Sequence, residues 1–223
     1  MIMMSMVLLT FLAGALADYV LTRVLGWVPE PTTLVLAPAT GEPLGRYIEG
    51  FLVPEGLRYH AGHTWARREG GQTARVGANE FAAKLAGNID KIELPKPGEW
   101  LRQGQPVVKV YRNGEMATLL CPVEGEVVEV NADVRNDPSL LRRDSYGKGW
   151  LMTLHVYDEV STWRNLLPVN LVRGWMKEAV SRLYAKQPSL VAVAADGGRP
   201  VDDLLAALPG AGWAKTTEEF FLP

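Results

Sequence analysis

The sequence contains little cysteine and histidine, and this scarcity excludes several kinds of site. Its one cysteine, Cys121, cannot form an internal disulfide, so nothing in the cysteine content favours an oxidising compartment. Only three histidines are present. Two of them, His60 and His63, flank Gly62, which indicates a turn rather than the helix on which paired metal ligands converge. We therefore expect no metal site.

The sequence also lacks an excess of positive charge and a recognisable catalytic arrangement. Its formal net charge is -2, so no electrostatic footprint for nucleic acid is visible. Ser145 and His155 do not have the spacing of a catalytic pair, and no glycine-rich phosphate loop follows a predicted strand. Cys121 has no basic neighbour of the kind that lowers a thiol pKa. We predict a protein that is not an enzyme, has no cofactor and does not bind nucleic acid.

A long apolar run opens the chain. Residues 1–17 are apolar except for one serine and one threonine, and after Asp18 the apolar character continues to residue 28 with few interruptions. A bilayer needs about 20 apolar residues, so we predict a transmembrane helix over residues 1–28 that contacts lipid. Tyr19 and Trp27 would lie in the interfacial aromatic belt. The alternatives are a cleaved export signal, which would need a basic residue before the run, or a helix on the membrane surface.

The distribution of basic residues predicts the orientation of this helix. No Lys or Arg precedes it, whereas Arg23, Arg46 and Arg58 follow. The positive-inside rule then predicts a single-pass protein of a bacterial-type inner membrane with its C-terminal domain in the cytoplasm. Asp18 either marks the cytoplasmic interface or makes a polar contact with another membrane helix.

The rest of the chain divides into three parts by composition. Residues 29–57 contain five prolines and predict an extended linker. Residues 58–156 contain short β-type runs separated by Gly, Pro or Asn, with one helical segment at 79–86. Residues 157–223 predict a helical C-terminal extension. Its main helix, 171–186, has one apolar face, formed by Val172, Trp175, Met176, Ala179, Val180 and Leu183.

Several short motifs occur in order along the β-rich region. They are Tyr-His-Ala-Gly-His-Thr-Trp at 59–65, Val-Gly-Ala-Asn-Glu-Phe-Ala at 76–82, Leu-Ala-Gly-Asn-Ile at 85–89, Glu-Leu-Pro at 93–95, Cys-Pro-Val-Glu-Gly-Glu-Val at 121–127 and Asp-Ser-Tyr-Gly-Lys-Gly-Trp-Leu at 144–151. In their order and spacing these motifs resemble the H protein of the glycine cleavage system. The resemblance covers slightly under half of the chain. It implies a mainly β, barrel-sandwich hybrid fold of the lipoyl type.

The resemblance also implies a function that this sequence is not equipped to perform. In the family, a lysine at the tip of a β-hairpin carries lipoate, which shuttles an aminomethyl group between enzymes. Counted back from Pro122, that position corresponds to Gly114, which has no amine. Asn113-Gly114 between apolar runs still predicts the hairpin turn. The nearest lysine, Lys109, would face solvent from within a strand, more than ~10 Å from the tip.

We therefore predict a non-catalytic, membrane-anchored scaffold or accessory subunit of a membrane complex. Two alternatives stay open: an adaptor for lipoate-dependent enzymes, and a one-carbon or sulfur carrier with another attachment site. Aromatic residues are enriched at interface cores, so the extension supplies candidate contacts to other subunits of the complex. These candidates are Trp163, Trp175, Trp213, Phe220 and Phe221, alongside Asp18 in the membrane helix. The extension could instead pack onto its own domain.

Overall fold

The computed structural model describes residues 45–186, 200–206 and 212–222, which all belong to one compact unit. The predicted transmembrane helix at 1–28, with Asp18, and the first part of the predicted linker lie outside the described residues. Within those residues, every helix is too short or too polar to cross a bilayer.

The described residues form eleven strands and six helices. The strands are β1 (Gly45–Ile48), β2 (Phe51–Pro54), β3 (Arg58–Tyr59), β4 (Thr64–Gly70), β5 (Thr73–Ala78), β6 (Lys91–Glu93), β7 (Trp100–Leu101), β8 (Pro106–Arg112), β9 (Glu115–Leu120), β10 (Gly125–Val130) and β11 (Trp150–His155). The helices are α1 (Glu80–Ala86), α2 (Ala132–Asn136), α3 (Leu140–Arg143), α4 (Glu159–Arg164), α5 (Val169–Lys186) and α6 (Trp213–Phe221).

Antiparallel sheets form most of the fold, as the sequence predicts. The largest has six strands in the order β3-β4-β5-β11-β10-β7, and a three-stranded sheet has the order β6-β8-β9. Strand β8 shows why these segments form half-buried strands: Val108 and Val110 are buried, whereas Lys109 between them is exposed. Side chains that alternate in this way place one face of the sheet against the core and the other in water. The result is the mainly β, sandwich-like fold that the motifs imply.

Helix α1 lies where the sequence predicts a helix. Asn79 caps its N-terminus by accepting a hydrogen bond from the backbone N–H of Ala82, at 2.9 Å. Phe81 and Leu85 are fully buried, one turn apart on the same face. The helix ends at Gly87, whose φ of 70° is disfavoured for other residues. Cap and terminator therefore fix both ends of this helix.

The predicted linker is wrong for residues 45–57. Strands β1 and β2 pair in register as a hairpin, and its Glu49-Gly50 turn has positive φ at both positions. Phe51 is fully buried and packs edge-on against Phe81, with ring centroids 5.3 Å apart. Pro54 lies at the end of strand β2, and strands share such extended backbone with linkers. Only the packing against α1 shows that this segment belongs to the domain core.

The helices of the C-terminal extension pack onto the same core. The apolar face predicted for the 171–186 helix is buried in α5, except for the partly buried Trp175. Helix α4 begins at Glu159, where the Asp158 side chain caps it. Helix α6 packs against β9 and α1. The described helices of the extension therefore share one hydrophobic core with the β-rich domain.

Candidate functional site

The β8–β9 hairpin forms the turn that the Asn113-Gly114 pair predicts. Strands β8 and β9 pair up to Arg112 and Glu115, leaving two residues in the loop. Asn113 and Gly114 have φ of 49° and 81°, the left-handed values that a type I′ turn requires. Both residues are exposed, and no atom lies within 4 Å of the position that a Cβ at Gly114 would occupy. The tip is open to solvent but has no nucleophilic side chain at Gly114.

Polar contacts to two other segments of the chain brace the hairpin. The backbone N–H of Asn113 donates to the Asp90 carboxylate at 2.6 Å. The Arg112 guanidinium donates to both carboxylate oxygens of Asp203, at 2.9 and 2.8 Å. Arg112 also reaches the carbonyl of Ala86 at the end of α1. These contacts restrict the movement of the hairpin relative to the domain.

The segment 200–206 is itself tied to α1 and its surroundings. The buried Lys84 ammonium donates to the Pro200 carbonyl at 2.9 Å and lies 3.3 Å from the Glu80 carboxylate. The Asp202 carboxylate pairs with Arg142 at 3.0 Å. The segment therefore joins the hairpin to α1 through several charged groups. Sequence reasoning missed these residues, because Arg112 and Asp203 lie 91 positions apart and carry no shared motif.

Lys109, the lysine nearest to Gly114 in the sequence, lies within a strand and not at the hairpin tip. It lies in the middle of β8, paired across the strands with Glu93 of β6 and Thr118 of β9. Its side chain is exposed, as the sequence predicts. Backbone pairing on both sides holds this residue within the sheet, so it has none of the protrusion that a hairpin tip provides.

The candidate partner contacts are placed differently from the prediction. Phe220, Phe221 and Trp213 are almost completely buried in the core of this chain. Phe220 packs edge-on against Phe81 at 5.4 Å, and the Trp213 indole N–H donates to the Ala86 carbonyl at 2.9 Å. The prediction that these three side chains contact a partner is therefore wrong. Helix α6 covers apolar surface on α1 and β9 that the β domain does not cover by itself.

The other two aromatic candidates are partly buried. Trp163 lies under the Arg68 guanidinium, 4.8 Å from the ring centroid. Trp175 stacks on His63, with ring centroids 4.5 Å apart and an interplanar angle of 26°. Each retains some exposed surface but is already engaged within the chain. Asp18 lies outside the described residues, so its predicted membrane contact stays a prediction.

His63 forms a buried polar contact among the rings of Phe81, Trp175 and Phe220. The Asn79 amide donates to its Nδ1 atom at 3.1 Å, since the Asn79 oxygen already accepts the helix-cap hydrogen bond. This arrangement assigns the neutral tautomer with the proton on Nε2. Desolvation, together with the nearby charge of Arg182, lowers the pKa of His63 to about 3. His63 is thus a structural residue that stays neutral when the protein is folded.

Cys121 and the acidic groups give no sign of redox or metal chemistry in the described residues. The Cys121 thiol is buried and donates to the Val123 carbonyl at 3.1 Å. Burial raises the pKa of this thiol to about 12, so it remains protonated and a poor nucleophile near neutral pH. Within the described part of the chain, no three His, Cys, Asp or Glu side chains lie close enough to hold a metal ion.

The sequence matches the family model of the glycine cleavage H-protein over residues 57–179, more than half of the chain. The chain belongs to the glycine cleavage H-protein family. A glycine cleavage system H protein from Mycobacterium avium (strain 104) is 36% identical over 129 residues, which cover 56% of this chain and 98% of that protein. Another, from Mycobacterium leprae (strain Br4923), is 38% identical over 106 residues, covering 48% of this chain and 80% of that protein.

The crystal structure of a glycine cleavage system H protein from Mycobacterium marinum is also similar, with 28% sequence identity and a TM-score of 0.44. The match covers 47% of this chain and 87% of that one. The match to the family model over residues 57–179 confirms the resemblance that the motifs indicate. That match continues into α5 and so extends beyond the predicted boundary at residue 156. The first third of the C-terminal extension, residues 157–179, is part of the family domain.

Proposed function

We propose that this chain is a non-catalytic, membrane-anchored scaffold or accessory subunit built on an H-protein domain without a lipoyl group. The observation that carries the proposal is Gly114 at the exposed tip of the β8–β9 hairpin. A lipoyl group is attached through an amine, and glycine has no side chain to supply one. The surrounding hairpin is intact, so the domain keeps its shape without the attachment residue.

The contacts around the hairpin support a structural role. A carrier must deliver its group to separate enzymes, which favours a hairpin that is free to move relative to its domain. Here Arg112 is clamped to Asp203, and Asn113 is tied to Asp90. These bonds hold the hairpin against its own domain, as expected for a part of a static assembly. The membrane part of the proposal rests on the apolar run at residues 1–28 and on the basic residues that follow it.

Lipoylation tests the chemical half of the proposal. The native full-length protein, isolated from its source cells, should show no lipoyl increment by intact-mass analysis. Gly114→Lys, treated with a lipoate–protein ligase, lipoate and ATP, should gain the increment, because the site is open. Glu115→Lys is the matched control, since it places an amine one residue away, at the exposed first residue of β9, and it should gain no increment. Lipoate on any lysine of the native protein, Lys109 included, would overturn the proposal.

Fractionation and co-purification test the membrane half. The protein should resist extraction by alkaline carbonate, and a reporter fused after Pro223 should be active only in the cytoplasm. Purification in mild detergent should yield integral membrane proteins in stoichiometric amounts. Release by carbonate, or an exported C-terminus, would contradict the anchoring. Stoichiometric recovery of soluble lipoate-dependent enzymes instead would favour the adaptor role over the scaffold role.

A further inference from the structure

An aromatic and acidic pocket lies at the edge of the six-stranded sheet, between strand β7 and the start of the C-terminal extension. We propose that this pocket binds the arginine side chain of a partner protein. The cavity has a volume of about 160 Å³. Its lining residues come from β7 and the turn after it, from the residue before β10, and from α4 with the residues on either side of that helix. They are Trp100, Gln103, Glu124, Tyr157, Asp158, Ser161, Thr162 and Asn165. The inference is independent of the proposed scaffold role.

Two exposed aromatic rings form one wall of the pocket. Trp100 is 48% exposed and Tyr157 is 57% exposed, although both are large and partly apolar. Their ring centroids lie 5.4 Å apart, and the rings are tilted by 35°. The Tyr157 ring also contacts His155 edge-on at 4.4 Å, and its hydroxyl donates to the Glu126 carboxylate at 3.3 Å. The rings are therefore held in place while their outer faces remain free for a ligand.

The charge of the pocket selects the sign of the ligand. Two carboxylates, Glu124 and Asp158, line it, whereas the eight lining residues include no Lys or Arg. One oxygen of Asp158 accepts the backbone N–H of Ser161 at 3.0 Å, so this carboxylate already satisfies the start of α4. Glu124 is exposed and forms no ion pair with any residue in the described ranges. A cation entering the pocket would meet an uncompensated carboxylate beside two π faces.

The polar floor is preorganised. The Gln103 side chain donates to the carbonyls of Pro122 and Thr162 at 2.8 and 3.0 Å, and its own oxygen accepts from Asn165 at 2.9 Å. Because the Asn165 side-chain nitrogen is the donor in the last of these bonds, its side-chain oxygen is left as a further acceptor. A planar guanidinium can stack on an aromatic face and donate to several acceptors at its edge, which an ammonium cannot do as well. Cavities of about 150 Å³ hold a benzene-sized group, so one side chain fits.

The test uses the full-length protein labelled with 5-fluorotryptophan and followed by ¹⁹F NMR. Trp100→Phe assigns the Trp100 resonance among those of the seven tryptophans. The probe is acetyl-Gly-Arg-Gly-amide, compared with the same peptide carrying citrulline, which has nearly the same shape without the charge. We expect a saturable shift of the Trp100 resonance in the millimolar range with the arginine peptide only. Equal shifts with the citrulline peptide would overturn the proposal.

Two isosteric variants separate the pocket from general surface charge. Glu124→Gln should weaken binding of the arginine peptide at least threefold. Glu129→Gln removes the same charge from an exposed position of β10 outside the pocket and should leave binding unchanged. Equal losses in both variants would show a non-specific charge effect and refute the site. A lysine peptide that binds as tightly as the arginine peptide would refute the assignment to a guanidinium.

Discussion

Arg112 and Asp203 form a two-pronged ion pair between the carrier-type hairpin and the C-terminal extension. The two N–O distances are 2.9 and 2.8 Å, and the side chains are only 14% and 11% exposed. Asp203 also accepts the backbone N–H of Ala206 at 3.0 Å. The extension thus fixes the position of the hairpin through charged groups that are largely shielded from water. Such pairs tolerate the loss of one partner poorly.

Removal of the Asp203 carboxylate should destabilise the domain. In Asp203→Ala, the largely buried Arg112 loses both of its charged acceptors and is left without an ionic partner among the described residues. We expect the free energy of unfolding to fall by about 2–3 kcal/mol, as for other hydrogen bonds to charged groups. Urea unfolding followed by tryptophan fluorescence measures the change.

An exposed ion pair provides the control for this substitution. Arg46 and Glu55 lie 3.3 Å apart, but their side chains are 81% and 62% exposed. Glu55→Ala should therefore cost less than about 1 kcal/mol. Similar losses in the two variants would contradict a special role for the Arg112–Asp203 pair.

The same ion pair makes Gly87 sensitive to substitution. A Cβ at this position would lie 2.4 Å from the Asp203 carboxylate, and the φ of 70° disfavours any side chain. Gly71 has a φ of 56° but no atom within 4 Å of its Cβ position. Gly71→Ala should thus cost about 1–2 kcal/mol for backbone strain alone.

Gly87→Ala should cost more than Gly71→Ala in the same unfolding measurement, because the clash with Asp203 adds to the strain. The double variant Gly87→Ala with Asp203→Ala should lose less stability than the sum of the two single losses, since the second substitution removes the clashing carboxylate. Equal destabilisation by the two glycine variants, with strictly additive losses in the double variant, would show that the contact with Asp203 is unimportant.

Protonation of His63 should couple folding to pH. Its pKa is lowered from 6.5 to about 3 in the folded protein, chiefly by desolvation. Between these values the unfolded chain binds a proton that the folded chain does not bind. The free energy of unfolding should therefore decrease as pH falls below 6.5, with a contribution from His63 approaching about 1.4 kcal/mol per pH unit.

His63→Asn isolates this contribution. Asparagine tolerates the φ of 60° at this position and does not titrate. The variant should be less stable at pH 7, because it loses the stacking on Trp175, yet its stability should depend less steeply on pH between 4.5 and 6. Parallel pH profiles for the two proteins would contradict the assignment of a neutral, buried His63.

Helix α6 should be essential for stability. Phe220 is 1% exposed and contacts Phe81, so Phe220→Ala should cost about 3–5 kcal/mol. Leu222, at 37% exposure, provides the control, and Leu222→Ala should cost less than about 1 kcal/mol. A chain ending at Asp158 that folded with normal stability would contradict a core role for the extension.

Local patterns predicted the elements whose formation depends on neighbouring residues. Asn113-Gly114 predicted the β8–β9 turn, because few other residue pairs adopt positive φ twice in succession. Asn79 and Phe81 predicted α1, and the apolar spacing of residues 171–186 predicted α5. Residues 45–57 were predicted wrongly, because they follow a proline-rich stretch and a short extended segment has the same local pattern in a linker and in a hairpin.

The sequence by itself determined the membership of the H-protein family, the strand and helix pattern of the domain and the presence of glycine at residue 114. Those features are encoded in short motifs and in periodicity, which depend on contacts between near neighbours. Only the tertiary structure decided that Phe220 and Phe221 are core residues and that Arg112 meets Asp203. It also decided that Trp100, Tyr157 and Glu124 line one pocket. These contacts join residues distant in sequence, whose proximity depends on how the sheets and the extension pack together.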